Sequence, residues 1–221
     1  MEHVWDFESV FTNWRLLLTG LGNTVLLAVV CLAIGLFLGL FIGAARYSKN
    51  RLLNVPASVF VEVFRNTPAL VQIMWFFFAF PIISPFRIDS FTAATLGLSL
   101  NTAAFCSEIY RAGIQSIHRG QWEAAKALGM RYGEQMRRVI LPQAMRRMIP
   151  AFMNRAIELT KMTSLASVIA FGELVHQAKT ISTIEFNPIE TYTVVGFIFF
   201  VMIWPIAIAV RGLERRLSRH E

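Results

Sequence analysis

Charged residues are scarce in this chain. They make up 16% of its 221 residues, where a soluble globular domain carries roughly 25%. With 55% hydrophobic residues and a mean hydropathy of +0.53, the surplus apolar surface needs lipid. Cysteine and histidine are scarce too. Cys31 and Cys106 both fall inside apolar runs and read as small buried hydrophobes rather than a disulfide or a metal pair. His3, His118, His176 and His220 are scattered. No metal-ligand or triad spacing appears, so no catalytic, cofactor-binding or metal residue is expected, and the chain does not read as an enzyme. A G-x-x-x-x-G-K-[ST] phosphate loop is missing, so no ATP site is expected here. The first residues include Glu2, Asp6 and Glu8, where a signal peptide starts basic, so none is expected. The formal charge of +7 does not point to nucleic acid, because the cations sit in short blocks beside apolar runs.

What is abundant is apolar sequence in membrane-length stretches of about 20 residues. Five runs qualify: Asn23–Ala45, Val59–Ile83, Ser90–Gly113, Ile149–Ala170 and Thr191–Val210. The expected fold is therefore an all-α integral membrane protein with about five transmembrane helices. Its parts would be an external amphipathic segment (1–22), a permease-like membrane domain (23–210) and a basic tail (211–221). Arg46, Lys49 and Arg51, the eight cations of Arg111–Arg147, and Arg211, Arg215, Arg216 and Arg219 place fifteen Lys and Arg on one side. Arg15, Arg87 and Lys179 are the three on the other. The positive-inside rule then predicts an external N-terminus and a cytoplasmic C-terminus, which five spans also require. Val4, Phe7, Phe11, Trp14 and Leu18 share one helical face, suited either to the outer membrane surface or to packing on the bundle. Gly35, Gly39 and Gly43 form a doubled GxxxG in the first run, a face that lets a neighbouring helix come close.

The longest cytoplasmic stretch, at about 114–147, holds Gln121, Trp122, Glu123, Ala124, Ala125, Lys126, Ala127, Leu128 and Gly129. Gln121–Leu128 is a good helix former, Gly129 ends it, and Leu141-Pro142 starts the next helix. The small surface of Ala124, Ala125 and Ala127 suits a groove on another protein; a bland connector would carry the same features. The order Glu-Ala-Ala, three residues, Gly, nine residues, an aliphatic residue, one residue and Leu-Pro resembles the EAA loop of ABC importer permeases, with Val139 where that family usually has Ile. Arg111–Ile117, Leu141–Ala144, Phe64–Pro68 and Thr163–Leu165 are similar to words of the polar amino acid (His/Glu/Gln-type) subfamily. The resemblance runs from about Asn23 onward. It implies a five-span type I permease of the bacterial inner membrane. Gln121–Gly129 would be the coupling helix that docks on an ATPase. The implied partners are two ATPase subunits holding ATP and Mg, a second permease subunit (identical or related), an external solute-binding protein, a polar amino acid and membrane lipid.

Polar residues inside the apolar runs are costly and so tend to be functional or paired. On ideal helices three stripes emerge: Glu62, Asn66 and Ala69; Gly97, Asn101 and Glu108; and Asn154, Glu158 and Lys161. Facing one another they could line a pathway. Glu62–Arg65 and Glu158–Lys161 could equally be i, i+3 pairs that neutralise each other. Pro68 removes a backbone donor and crowds the carbonyl of Phe64, which makes Arg65, Asn66, Thr67 and Pro68 the best substrate or gate element. Thr163 and Ser164 join this set through the resemblance. The resembling subfamily often has an acidic residue or Asn where Met162 stands, which leans away from Arg or Lys as substrate. An ATPase-independent secondary transporter or channel would also explain the intramembrane charges, but it leaves the EAA-like loop without a purpose.

Overall fold

The structure is a computed structural model that describes residues 5–218. Among the described residues every regular element is helical. A short α1 (Glu8–Thr12) leads into α2 (Trp14–Tyr47), whose 34 residues start well before the expected run at Asn23. At 1.5 Å per residue this helix is about 50 Å long, so it extends beyond the roughly 30 Å apolar layer. Phe11, Trp14 and Leu18 stay exposed, whereas Val10 is buried against Leu174, Ala178, Ile181 and Val195. Residues 5–22 are thus packed on the bundle with an apolar stripe left outward, and Val4 of the expected face lies outside the described residues.

The second expected run is not one helix. Its residues divide among α3 (Arg51–Asn66), α4 (Ala69–Met74), a π-helical turn Trp75–Ala79 and α5 (Phe80–Ile83). A bend of 105° separates Arg51–Asn66 from Ala69–Ile83. The cause is Pro68, which has no N–H to continue the ladder. α6 (Ser90–Gln115) is continuous and opens at an Asp89 side chain that accepts from the Thr92 N–H at 3.0 Å. The Thr92 side chain, together with that N–H, holds the Asp89 carboxyl below its ordinary range. After α7 (Arg119–Ala127) and α8 (Tyr132–Gln135), α9 (Leu141–Met162) tightens into a 3-10 turn, Thr163–Ile169, which stops at a left-handed Ala170. α10 (Leu174–Glu185) and α11 (Pro188–Ser218) complete the chain. By length and apolar content α2 and α11 can each cross a membrane, and the bent pair makes a third crossing if counted as one.

α2 and α6 form the spine of the bundle. An added Cβ on Gly35 would lie 2.5 Å from Thr102 Cγ2, and one on Gly39 would lie 2.6 Å from Cys106 Cβ. The glycine face is therefore consumed by α6 of the same chain. The central core joins Leu27 and Cys31 of α2, Ile73 of α4, Ala94 and Leu98 of α6, and Leu159 of α9. A second cluster lies under Val10, and a third gathers Ile117, Ile140, Ala144 and Met148 beneath α7.

Candidate functional site: a polar interior and a docking helix

The break at Pro68 organises the interior. The Phe64 carbonyl has lost its helical donor. It accepts instead from Asn101 Nδ2 at 2.8 Å and Gln72 Nε2 at 2.9 Å. The same Gln72 nitrogen also donates to the Thr67 carbonyl at 2.9 Å. An unwound backbone in apolar surroundings is tolerated when side chains re-satisfy it, and here two amides do so. Asn101 also accepts, at its Oδ1, from Arg155 Nη2 at 2.7 Å. Arg155 is 4% exposed. It donates further to Thr102 Oγ1 at 3.1 Å and to Glu158 Oε2 at 2.8 Å. Its guanidinium lies 4.3 Å from the Phe105 ring centre, and the Arg65 guanidinium lies 5.3 Å from the same centre.

Two turns along α6, Glu108 draws in three cations from three helix ends. Arg46 of α2 pairs with it, Arg65 of α3 lies 3.5 Å away, and Arg111 of α6 is at 2.7 Å. The Glu108 side chain is 16% exposed. The expected stripes are therefore rearranged. Asn101 and Glu108 do face one direction, but toward α3 rather than across an open lumen, while Gly97 packs on Ile73. Glu62 accepts from Asn66 Nδ2 at 2.9 Å, and both are exposed; Ala69 is separated from them by the break. The expected i, i+3 partners are exchanged: Arg65 goes to Glu108 and Glu158 to Arg155. Asn154, Glu158 and Lys161 do share an exposed flank of α9. Asn154 Nδ2 donates to Glu214 on α11 at 3.3 Å, and Lys161 and Ser164 line a cleft of about 590 Å³ against α11. Thr163 is buried and gives its hydroxyl to the Thr160 carbonyl. Sequence reasoning passed over Arg155, Gln72, Thr102 and Arg46. A lone arginine in an apolar run was the available signal for Arg155; Gln72 could have been suspected only from its spacing of four after Pro68.

The EAA-like segment forms α7 and the turn after it. His118 caps α7, its Nδ1 accepting from the Gly120 N–H at 3.1 Å. At the other end the Met130 N–H donates to the Ala125 carbonyl at 3.2 Å and the Gly129 N–H to the Lys126 carbonyl at 3.0 Å. This pair of bonds is a Schellman closure, and it needs the left-handed φ of 74° that Gly129 adopts. Two residues anchor the helix. Ala125 is 2% exposed, and Trp122 packs on the third core cluster and stacks on Tyr132 at 6.1 Å. Gln121 accepts from Gln143 Nε2 at 3.2 Å, fixing the helix to α9. Glu123, Ala124, Ala127, Leu128 and Gly129 remain outward, with Leu128 80% exposed. Beneath, Gly113 of α6 lies against Met148 of α9. α7 thus packs over a cluster shared by α6 and α9, the two helices that carry the polar interior.

An all-helical bundle with a broken, polar-lined interior and an outward short helix between α6 and α9 is the architecture of a type I ABC importer permease. Residues 35–219 match the family described as the binding-protein-dependent transport system inner membrane component, and the chain belongs to that family. The arginine transport system permease protein ArtQ of Bacillus subtilis is 37% identical over 216 residues, covering 98% of this chain and 99% of that protein. The glutamine transport system permease protein GlnP of Escherichia coli (strain K12) is 38% identical over 214 residues, covering 96% and 98%. The solved structure of an amino acid ABC transporter with histidines superposes with a TM-score of 0.92 at 36% identity, covering 97% of this chain and all of that one.

Proposed function

We propose that this chain is the permease subunit that carries a polar amino acid across the bacterial inner membrane, with ATP and Mg held on a separate ATPase. The complex has two ATPase subunits, a second permease that is identical or related, and an external binding protein. The chain crosses the membrane five times with its N-terminus outside; the fifteen-to-three cation split supports that orientation. Substrate passes the Pro68 break and the polar face of α6, and the Glu108 cluster closes the cytoplasmic end. A membrane subunit can be driven only by a contact that differs between its two states. The observation that carries the reading is α7: a capped, anchored helix whose outer face sets Ala124, Ala127 and Leu128 beside Glu123 and Lys126 and whose base rests on α6 and α9.

Gly129→Asp tests it. Within the chain nothing lies within 4 Å of an added Cβ at Gly129, but its left-handed φ strains any L side chain, so the variant disturbs the cap of α7 as well as the face it presents. Uptake into vesicles is expected to fall to background while membrane insertion is normal. Co-purification of the ATPase and hydrolysis stimulated by the binding protein separate lost docking from lost coupling. A variant that keeps full uptake and full stimulation rules out α7 as the coupling helix.

A further inference from the structure

Resting on the reading that puts the C-terminal ends of α2 and α6 at the cytoplasmic face, we infer that a crevice there is a binding site for one anionic phospholipid of the inner leaflet. The crevice lies between those two helix ends and the stretch from α8 to the start of α9, with a volume of about 270 Å³. Leu40, Ala44, Met136, Leu141 and Met145 give it apolar walls. Tyr47, Tyr110 and Tyr132 add three phenols, and Arg111 is the one charged residue in its lining. A lipid at the interface presents the same sequence of chemistry: chain carbons, ester oxygens, then phosphate. Phenols sit where the apolar layer meets water, and basic pockets between helices on the cytoplasmic side hold acidic headgroups.

Charge complementarity calls for an anion. The segments that close the crevice, 43–51, 108–114 and 130–148, carry nine Lys and Arg against two carboxylates, Glu108 and Glu134. Neighbouring α3 adds Arg65 and Glu62, which cancel, and α7 adds Arg119 and Lys126 against Glu123. Nothing nearby neutralises the excess. Arg111 also has donors to spare. Its Nε and Nη2 donate to Glu108 Oε2 at 3.0 and 2.7 Å, and its Nη1 donates to Gln115 Oε1 at 2.8 Å. Two of its five N–H groups remain, and it shares Glu108 with Arg46 and Arg65. A half-exposed guanidinium of this kind suits a phosphate. The apolar surroundings make that phosphate a lipid's. Phe37, Leu40, Phe41 and Ala44 share one face of α2 and are exposed. The crevice therefore opens onto an apolar strip that runs toward the membrane centre, where an acyl chain lies and a soluble anion gains nothing. Its volume is a little under the roughly 300–1,000 Å³ of pockets that enclose whole ligands. The headgroup end and the start of one chain fit, and the rest stays in the bilayer. Tyr132 also stacks on Trp122 of α7 at 6.1 Å, so the lipid bridges α2 to the segment that follows α7.

The test uses the permease with its co-purifying ATPase in nanodiscs of phosphatidylcholine, with or without phosphatidylglycerol. Native mass spectrometry after detergent release is expected to show a phosphatidylglycerol retained on each permease and little phosphatidylcholine. Phosphatidylglycerol should also raise the melting temperature. Arg111→Gln should cut retention about tenfold or more, beyond the roughly fivefold that one cation near a membrane surface contributes. Ala44→Trp fills the crevice from its exposed side, leaves every charge in place and should cut retention as far. Melting in plain phosphatidylcholine checks that both variants are folded. Arg138→Gln removes a cation of the same face outside the lining and should cost no more than that roughly fivefold. If Arg138→Gln is as damaging as Arg111→Gln, the surface attracts lipid diffusely and the site is overturned. Full retention in either Arg111→Gln or Ala44→Trp overturns it as well, as does equal retention of the two lipids by the parent. Should inorganic phosphate displace the lipid, the occupant is a soluble anion and the lipid assignment falls. Nanodiscs expose both leaflets, so retention reads the site whichever end is cytoplasmic. Labelling of a cysteine at Lys49 from outside whole cells would instead overturn the topology, and the choice of leaflet with it, and leave the crevice's ligand standing.

Discussion

α6 carries two charged centres, seven residues apart on one face, and they are built on opposite plans. At Glu108 a single carboxylate is surrounded by three guanidinium groups. At Asn101 a single guanidinium, Arg155, is surrounded mainly by neutral oxygens, with one carboxylate at the rim. The first centre saturates its carboxylate and ties together the ends of α2, α3 and α6. The second leaves a cation under-compensated and holds open an unwound stretch of backbone. The two centres lie about 10 Å apart along the helix.

Removing the hub of the first centre should have the largest effect. Glu108→Gln leaves Arg46, Arg65 and Arg111 to repel one another. Taking one partner from a buried ion pair costs roughly 3–5 kcal/mol, and the partial exposure of Arg65 and Arg111 puts this site at the lower end. A drop in the melting temperature of the detergent-purified complex checks it. Arg111→Gln should cost under about 1 kcal/mol, since two cations remain and exposed pairs contribute little. Equal losses in the two variants would mean that Glu108 is not a hub.

Asn101→Leu addresses the second centre. It removes one of two donors to the Phe64 carbonyl and the best acceptor of Arg155. Leaving buried polar groups unpaired costs about 1–3 kcal/mol, and transport should fall further than stability because the break itself loosens. Gln72→Leu should mimic the stability loss without changing which substrates bind. Uptake assays beside thermal melts separate the two variants.

These centres also mark where the sequence was readable. The docking helix was legible because its signals are local: Gly129 at its end, alanines on its face, Leu141-Pro142 beyond it. Its boundaries were close to those found, and only the anchoring roles of Ala125 and Trp122 needed the fold. The break at Pro68 was legible as a lost donor. Its repair was not, because Gln72 and Asn101 reach the Phe64 carbonyl from two different helices. The Glu62–Arg65 pairing failed for the same reason, since Arg65 reaches Glu108 on another helix, whereas Glu158 does form an i, i+3 pair on its own helix, with Arg155 rather than Lys161. The glycine stripe of α2 announced a close approach, but nothing in its spacing named α6 as the neighbour.

A buried carboxylate outside both centres sharpens the comparison, with the smallest expected effect. Glu173 lies in the connection that leads into α10, beyond the 3-10 turn. It accepts from the N–H groups of Val175 at 2.9 Å and His176 at 2.7 Å, and no cation pairs with it among the described residues. Burial pushes its carboxyl up to about 7, against the pull of those two bonds. Lacking the cations that surround Glu108, it should behave as a neutral group at acidic pH and a charged one above neutrality. A carboxyl raised in the folded state adds stability that is fully present below its unfolded value, near 4.3, and is lost as pH rises through about 7. Between pH 5.5 and pH 8 the loss should be about 1–2 kcal/mol. Glu173→Gln keeps an acceptor for the helix N–H groups and cannot ionise. Its melting temperature should approach the parent's below about pH 4, exceed it at pH 8, and vary less between the two. If parent and variant lose stability in parallel from pH 5.5 to pH 8, then Glu173 is already ionised across that range, and a helix N-terminus alone compensates a buried carboxylate as well as three arginines do.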